Sequence, residues 1–210
     1  MTLSDLFSNS FSLLALVVSA ITAYRTFYAK FKTEVFVKPR IILNRFNKIP
    51  SLVIGCELSN RGAHSGAIDD IVLRVKYRQH NSQQGTKSIS THLFLPALIK
   101  EEYNVFKTYQ DTDFEPFQSI SIAANSRLTR FIVFSPGSED GFSPVAGEIE
   151  LQLFSRNAGE TKWNKSPTSL RVPIDDNSAS SWRDPNGQGV LLEAFEHNQL
   201  RENLMEQVSN

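Results

Sequence analysis

From Leu6 to Tyr24 the chain runs LFSNSFSLLALVVSAITAY, nineteen positions without a charged side chain. A helix of that length reaches about 28 Å, close to the ~30 Å hydrocarbon core of a bilayer. Nothing after Lys30 has this character, so the spacing predicts a membrane anchor followed by a different kind of domain. A secretory signal peptide, the alternative suggested by Val18-Ser19-Ala20, needs a basic beginning. Residues 1–10 contain no Lys or Arg, and one acid, Asp5.

Charge sets the expected orientation. Between Arg25 and Lys48 lie seven basic residues against one acid, Glu34. The positive-inside rule keeps such a flank in the cytoplasm, with the short N-terminus outside. The expected localisation is therefore a single-pass membrane protein with a cytoplasmic C-terminal domain. Tyr24, Arg25, Phe27, Tyr28, Lys30, Phe31 and Lys32 form the expected membrane-interface group, since aromatic rings favour the headgroup layer and long cations snorkel to it. Ala15, Ser19 and Ala23 recur every four residues, a row of small side chains that lets two anchors approach closely; a homo-oligomer through this row is one expected association.

The formal charge is zero, yet residues 1–62 carry +5 and the remainder −5. A positive zone beside the anchor suits an anionic leaflet. The acidic remainder argues against a nucleic-acid partner. A single cysteine, Cys56, excludes an intramolecular disulfide framework and falls on an apolar strand face, as a small core residue would.

Beyond the anchor the pattern has period two. Val35, Val37, Ile41 and Leu43 share one face, with Pro39 marking an edge or a bulge. Leu52, Ile54, Cys56 and Leu58 repeat it, and Ile71, Leu73, Val75 and Tyr77 do so most clearly. Ile89, Thr91, Leu93 and Leu95 are read the same way after the polar turn at 80–85. Further strands are expected over Phe117–Ala123 and Leu128–Phe134, around Ile149, Leu151 and Leu153, and at Leu170, Val172 and Ile174. About eight short strands with polar turns predict a mainly β sandwich or barrel.

The expected organisation is an anchor with a juxtamembrane helix (1–31), a β-sandwich domain (32–174), a linker (175–189) and a C-terminal helix (190–210). Leu191, Leu192, Phe195, Leu204 and Val208 supply the apolar positions of that last helix.

The run Leu58-Ser-Asn-Arg-Gly62 followed by Gly66-Ala-Ile-Asp-Asp-Ile-Val-Leu73 resembles a loop of immunoglobulin-like bacterial β-sandwich domains, where an Asn-x-Gly turn precedes an Ile-led strand. The resemblance extends over residues 34–174 as strand rhythm. It implies a sandwich and no active site. The cysteine pair and mid-domain Trp of antibody domains are missing.

No motif carries chemistry. His64, His80, His92 and His197 lie far apart, without metal-ligand spacing. Asp111-Thr-Asp113-Phe-Glu115 lacks the glycine and distant Glu of a calcium loop. Gly187-Gln-Gly189 follows no strand, and Asp69-Asp70 needs a cleft before it can act as acid and base. No catalytic, cofactor or metal residue is therefore expected, and the chain is read as a non-enzyme. The functional expectation is a membrane-tethered adaptor or accessory subunit that binds another protein. The runner-up is a ligand-sensing membrane effector that oligomerises through its anchor, and an enzyme with an unrecognised site comes third.

Overall fold

The structure is a computed structural model describing residues 3–46, 48–81, 86–101, 114–136, 142–184 and 189–193, with the backbone alone described at 3–10, 79–81, 86–88 and 193. It contains a helix α1 (Leu3–Phe27), then β1 (Thr33–Phe46), β2 (Ile49–Asn60), β3 (Gly66–Asn81), β4 (Thr86–Lys100), β5 (Glu115–Pro116) and β6 (Ile120–Ile122). There follow β7 (Arg127–Pro136), β8 (Gly147–Asn157), β9 (Asn164–Ile174), a second helix α2 (Asp176–Arg183) and β10 (Val190–Glu193).

The strands pair antiparallel in one ten-stranded sheet ordered β10-β1-β2-β7-β4-β3-β8-β9, with β5 on β4 and β6 on β3. The expected fold was two packed sheets of about eight strands; the strands instead form one continuous sheet that curls on itself. Its curl brings the two ends of the order together. Thr33 Oγ1 lies 2.6 Å from Asn157 Oδ1, and Ser166 Oγ donates to the Val35 carbonyl at 2.7 Å, linking β1 to β8 and β9.

The interior is the period-two pattern made solid. Val35, Val37, Ile41 and Leu43 of β1, Leu52, Ile54, Cys56 and Leu58 of β2, and Ile71, Leu73, Val75 and Tyr77 of β3 are all buried in one cluster with Ile149, Leu151, Leu153, Leu170, Val172 and Ile174. Cys56 is fully buried, and the lack of water pushes its thiol up to about 12. Pro39 sits in a bulge, where the β1–β2 register slips between Val37 and Ile41, so its missing N–H costs no ladder bond.

Strand β4 departs from the expectation. Directly opposed residues of an antiparallel pair point to the same side of the sheet. The register Leu73↔Phe94, Val75↔His92 and Tyr77↔Ser90 therefore turns Ser90, His92 and Phe94 inward, and sends Ile89, Thr91, Leu93 and Leu95 out. Phe94 and His92 meet Phe142 edge-on inside, at 5.1 and 5.0 Å between ring centres. Of that inner row only Phe94 is buried, while Ser90 and His92 are polar, so the alternation of Ile89, Leu93 and Leu95 points to the wrong face.

The stretch 175–189, expected as a linker, holds α2. Asp175 caps it by accepting from the Ser178 backbone N–H at 2.7 Å. Its inner face is Ser178, Ala179 and Trp182. Trp182 is only 1% exposed, and its indole N–H is shared between the carbonyls of Asn44 (2.9 Å) and Ser51 (3.1 Å). Arg45 donates to the carbonyls of Trp182 and Arg183, satisfying acceptors at the helix end. The helix thus plugs the open end of the curl.

Residues 190–193, expected to begin a helix, form β10 against β1, with Leu43↔Val190 and Arg40↔Glu193 in register. Edge pairing takes the place of helix here because β10 adds to the side of β1 that faces away from β2. The remainder of the expected helix, 194–210, lies outside the described residues.

The N-terminal stretch is helical, as its composition requires. Over the described residues no helix is long and apolar enough to cross a membrane, so the anchor expected at Leu6–Tyr24 is not established by the fold. Of the whole architecture, the mainly β character and the N-terminal helix stand; the spanning role does not follow from the fold itself.

Candidate interaction surfaces

Three features lie outside the core: the outer row of β4, a cleft beside β5, and the helix α1 with its collar. The β4 row is the most exposed apolar part of the sheet. Ile89, Leu93 and Leu95 are 59%, 58% and 47% exposed. Their neighbours across the ladder are Arg78 opposite Ile89, Lys76 opposite Thr91 and Arg74 opposite Leu93. Arg78 bridges Glu148 and Glu150 at 3.4 and 3.3 Å, and the Arg74 guanidinium lies 5.3 Å from the Phe154 ring centre. Toward the other end of β4 the row approaches a second small cluster, where Leu98, Phe46, Phe114 and Phe131 cover Ile42, Val53 and Val133.

The cleft measures about 620 Å³ and is lined by Ile99, Lys100, Glu101, Glu115, Gln118, Ser119, Ile120, Ser121 and Arg130. That volume lies within the roughly 300–1,000 Å³ usual for small-molecule sites. Arg130 donates to Glu101 at 2.6 Å across it. Ser119 Oγ donates straight to the Asp69 carboxylate at 3.0 Å. With no imidazole between them, that pair lacks the arrangement that makes a serine nucleophilic. Asp70, its neighbour, pairs instead with Arg156 at 2.9 Å, so both carboxylates are engaged. Among the described residues no three His, Cys, Asp or Glu side chains could hold a metal. Residues 111–113 and 187 lie outside the described residues.

On α1, Phe11, Leu13, Leu14, Leu16, Val17, Val18 and Ile21 are all exposed. At about 100° per residue, consecutive exposed positions point in every direction, so no single face could dock on the sheet. Thr22 and Thr26 turn their hydroxyls back onto the carbonyls of Val18 and Thr22, each at 2.8 Å. Ala15, Ser19 and Ala23 are exposed along one row of this helix. Tyr24 and Tyr28 stack at 6.2 Å at its C-terminal end, with Arg25, Phe27 and Lys30 also exposed there.

The expected interface group divides at Phe31. Its ring turns into the domain and packs on the core, so tightly that a Cβ on Gly66 would fall 2.4 Å from it. Residues 29–32 are bound to the loop after β2: Ala63 N–H donates to the Ala29 carbonyl at 2.8 Å, and Arg61 N–H to the Lys32 carbonyl at 2.9 Å. Gly62 passes so close that a Cβ there would meet the Lys30 carbonyl oxygen at 2.1 Å. Asn60, buried, organises the loop. Its Oδ1 accepts from Gly62 N–H, and its Nδ2 donates to the carbonyls of His64 and Ala123. The Asn-x-Gly turn read in the sequence is therefore the seat that receives the chain as it leaves α1.

No family model matches the chain, and no curated protein matches it. Among solved structures it is similar to the sporulation control protein Spo0M from Bacillus subtilis, with 11% identity and a TM-score of 0.29. That comparison covers 64% of this chain and 48% of the other, so this chain spans about half of that structure's length.

Proposed function

We propose that the protein is a single-pass, membrane-tethered adaptor whose β domain faces the cytoplasm and binds another protein through the outer row of β4. The observation that carries the binding half is the exposure of Ile89, Leu93 and Leu95 beside Arg74, Lys76 and Arg78. Covering a large aliphatic side chain contributes roughly 1.5–3 kcal/mol, so three in a row give an interface its apolar centre. The tether half is supported by α1, whose apolar side chains look outward on all sides, and by the basic flank after it. An environment that surrounds the helix suits it better than a single packing face does.

The test is a photo-crosslinking residue placed at Leu93 in the full-length chain, with Arg171 on β9 as the control. A discrete protein adduct from Leu93, absent from Arg171, is expected. Leu93→Asp should change folding stability by no more than about 0.5 kcal/mol at so exposed a site, while removing binding measured from a second crosslinker at Leu95. Identical adducts from Leu93 and Arg171, or none, would overturn the adaptor reading.

The cleft beside β5 favours a second reading, a ligand-sensing membrane effector. Arg130→Ala would then abolish the response and leave the Leu93 adduct intact.

A further inference from the structure

The end of the sheet from which α1 leaves carries more than the seat for residues 29–32. Strand β8 arrives there antiparallel to β3, with Asn157 opposite Ile68, and the turn between β8 and β9 follows. The Ala158 N–H donates to the Ala67 carbonyl at 2.9 Å, and Gly159 takes φ +74°, a left-handed conformation that glycine adopts freely. Beyond it come Thr161, Lys162, Trp163, Asn164 and Lys165. Trp163 is 39% exposed at this tip, and Lys162 and Lys165 are exposed beside it. Arg156 lies over the Trp163 ring at 5.4 Å. The acid of the turn, Glu160, accepts from Asn157 Nδ2 at 3.1 Å. Lys30 and Lys32, exposed at the α1 exit, belong to the same end of the domain.

We infer that the β8–β9 turn is a second membrane contact, in which Trp163 enters the headgroup layer and Lys162 and Lys165 meet anionic lipid. The inference rests on the reading of α1 as the membrane element. Tryptophan combines a large apolar ring with one N–H donor, which suits a layer that is apolar below and wet above. Cations attract anionic headgroups only within about one Debye length, roughly 10 Å, so they must be held near the surface. The hydrogen bonds at Ala29 and Lys32 supply that constraint, since they fix the chain to the domain within a few residues of the helix. With two attachments, α1 and this turn, the domain stands in one orientation and its β4 row faces a defined direction.

The chain has two tryptophans, which makes the test direct. Trp182 is buried in the plug at the other end of β1, about 36 Å from Thr33 at ~3.3 Å per residue, so headgroup probes reach Trp163 alone. The full chain is reconstituted into phosphatidylcholine vesicles, with and without phosphatidylglycerol, carrying a spin label on the headgroup. Quenching of tryptophan emission is expected, greater with phosphatidylglycerol. Trp163→Phe should abolish it, and Lys162→Glu with Lys165→Glu should remove the phosphatidylglycerol increment. A chain that floats with the vesicles but shows no quenching overturns the second contact and leaves the α1 reading standing. A chain that does not float overturns both.

Discussion

Removing the indole of Trp182 should separate the two jobs of the α2 plug. The side chain is almost wholly buried, meets Phe142 at 5.2 Å between ring centres, and shares its N–H between the carbonyls of Asn44 and Ser51. Trp182→Ala loses the transfer energy of the ring and leaves a cavity, a cost of about 3–5 kcal/mol. Trp182→Phe keeps most of the apolar contact but removes the donor from two buried carbonyls, which costs about 1–3 kcal/mol. With a urea slope of roughly 2 kcal/mol/M, the Ala midpoint should fall by about 2 M and the Phe midpoint by about 1 M. Far-UV circular dichroism of the full chain in mild detergent reads both. A midpoint for Trp182→Ala that stays with the parent would refute the plug, and equal losses for Phe and Ala would assign its energy to the hydrogen bonds rather than the ring.

Leu73, fully buried on β3, should cost about 2–5 kcal/mol as Leu73→Ala in the same titration; an unmoved midpoint would invert the face assignment of that strand. Gly62→Ala places a methyl against the Lys30 carbonyl, so trypsin should cut after Lys30 and Lys32 faster than in the parent, and an unchanged rate would mean the seat tolerates the methyl. The Ser178 hydroxyl and N–H hold the Asp175 carboxyl below the usual carboxylate range. A group whose folded-state value is depressed stabilises above its unfolded value, about 3.9, and loses that contribution as pH falls through the folded one. The thermal midpoint of the parent should therefore exceed that of Asp175→Ala at neutral pH, with the gap closing in acid; a gap that is constant with pH would contradict the cap.

The inner faces of β1, β2, β3, β8 and β9 were legible because large apolar side chains recur at every second position on that face, even though Ile42 and Val53 are buried on the other. Strand β4 was not, since Ile89, Leu93 and Leu95 look like a core set until the register with Leu73 and Tyr77 turns them out. That misreading hid the surface on which the proposed function rests. Trp182 was missed because Ser, Asn and Asp around it read as linker composition. A signal was present in Asp175, a capping residue, followed by Ala179 and Trp182 on one helical face. The four residues of β10 carry too little pattern to separate strand from helix; only the edge of β1 decides them. Arg45, counted among the charges that orient the anchor, proves to be committed to the carbonyls of α2. The other six basic residues of that flank still outnumber Glu34.

The tether and its orientation are tested most directly by cysteine labelling in intact cells expressing the full chain. Cys56 is buried with its thiol pushed up to about 12, so it contributes little background in the folded state. Arg171→Cys places an exposed thiol on β9. The chain should stay with the membranes through a carbonate wash, and an impermeant maleimide should label Cys at this position only after the membrane is permeabilised. Labelling in intact cells, or release of the chain by carbonate, would contradict the account.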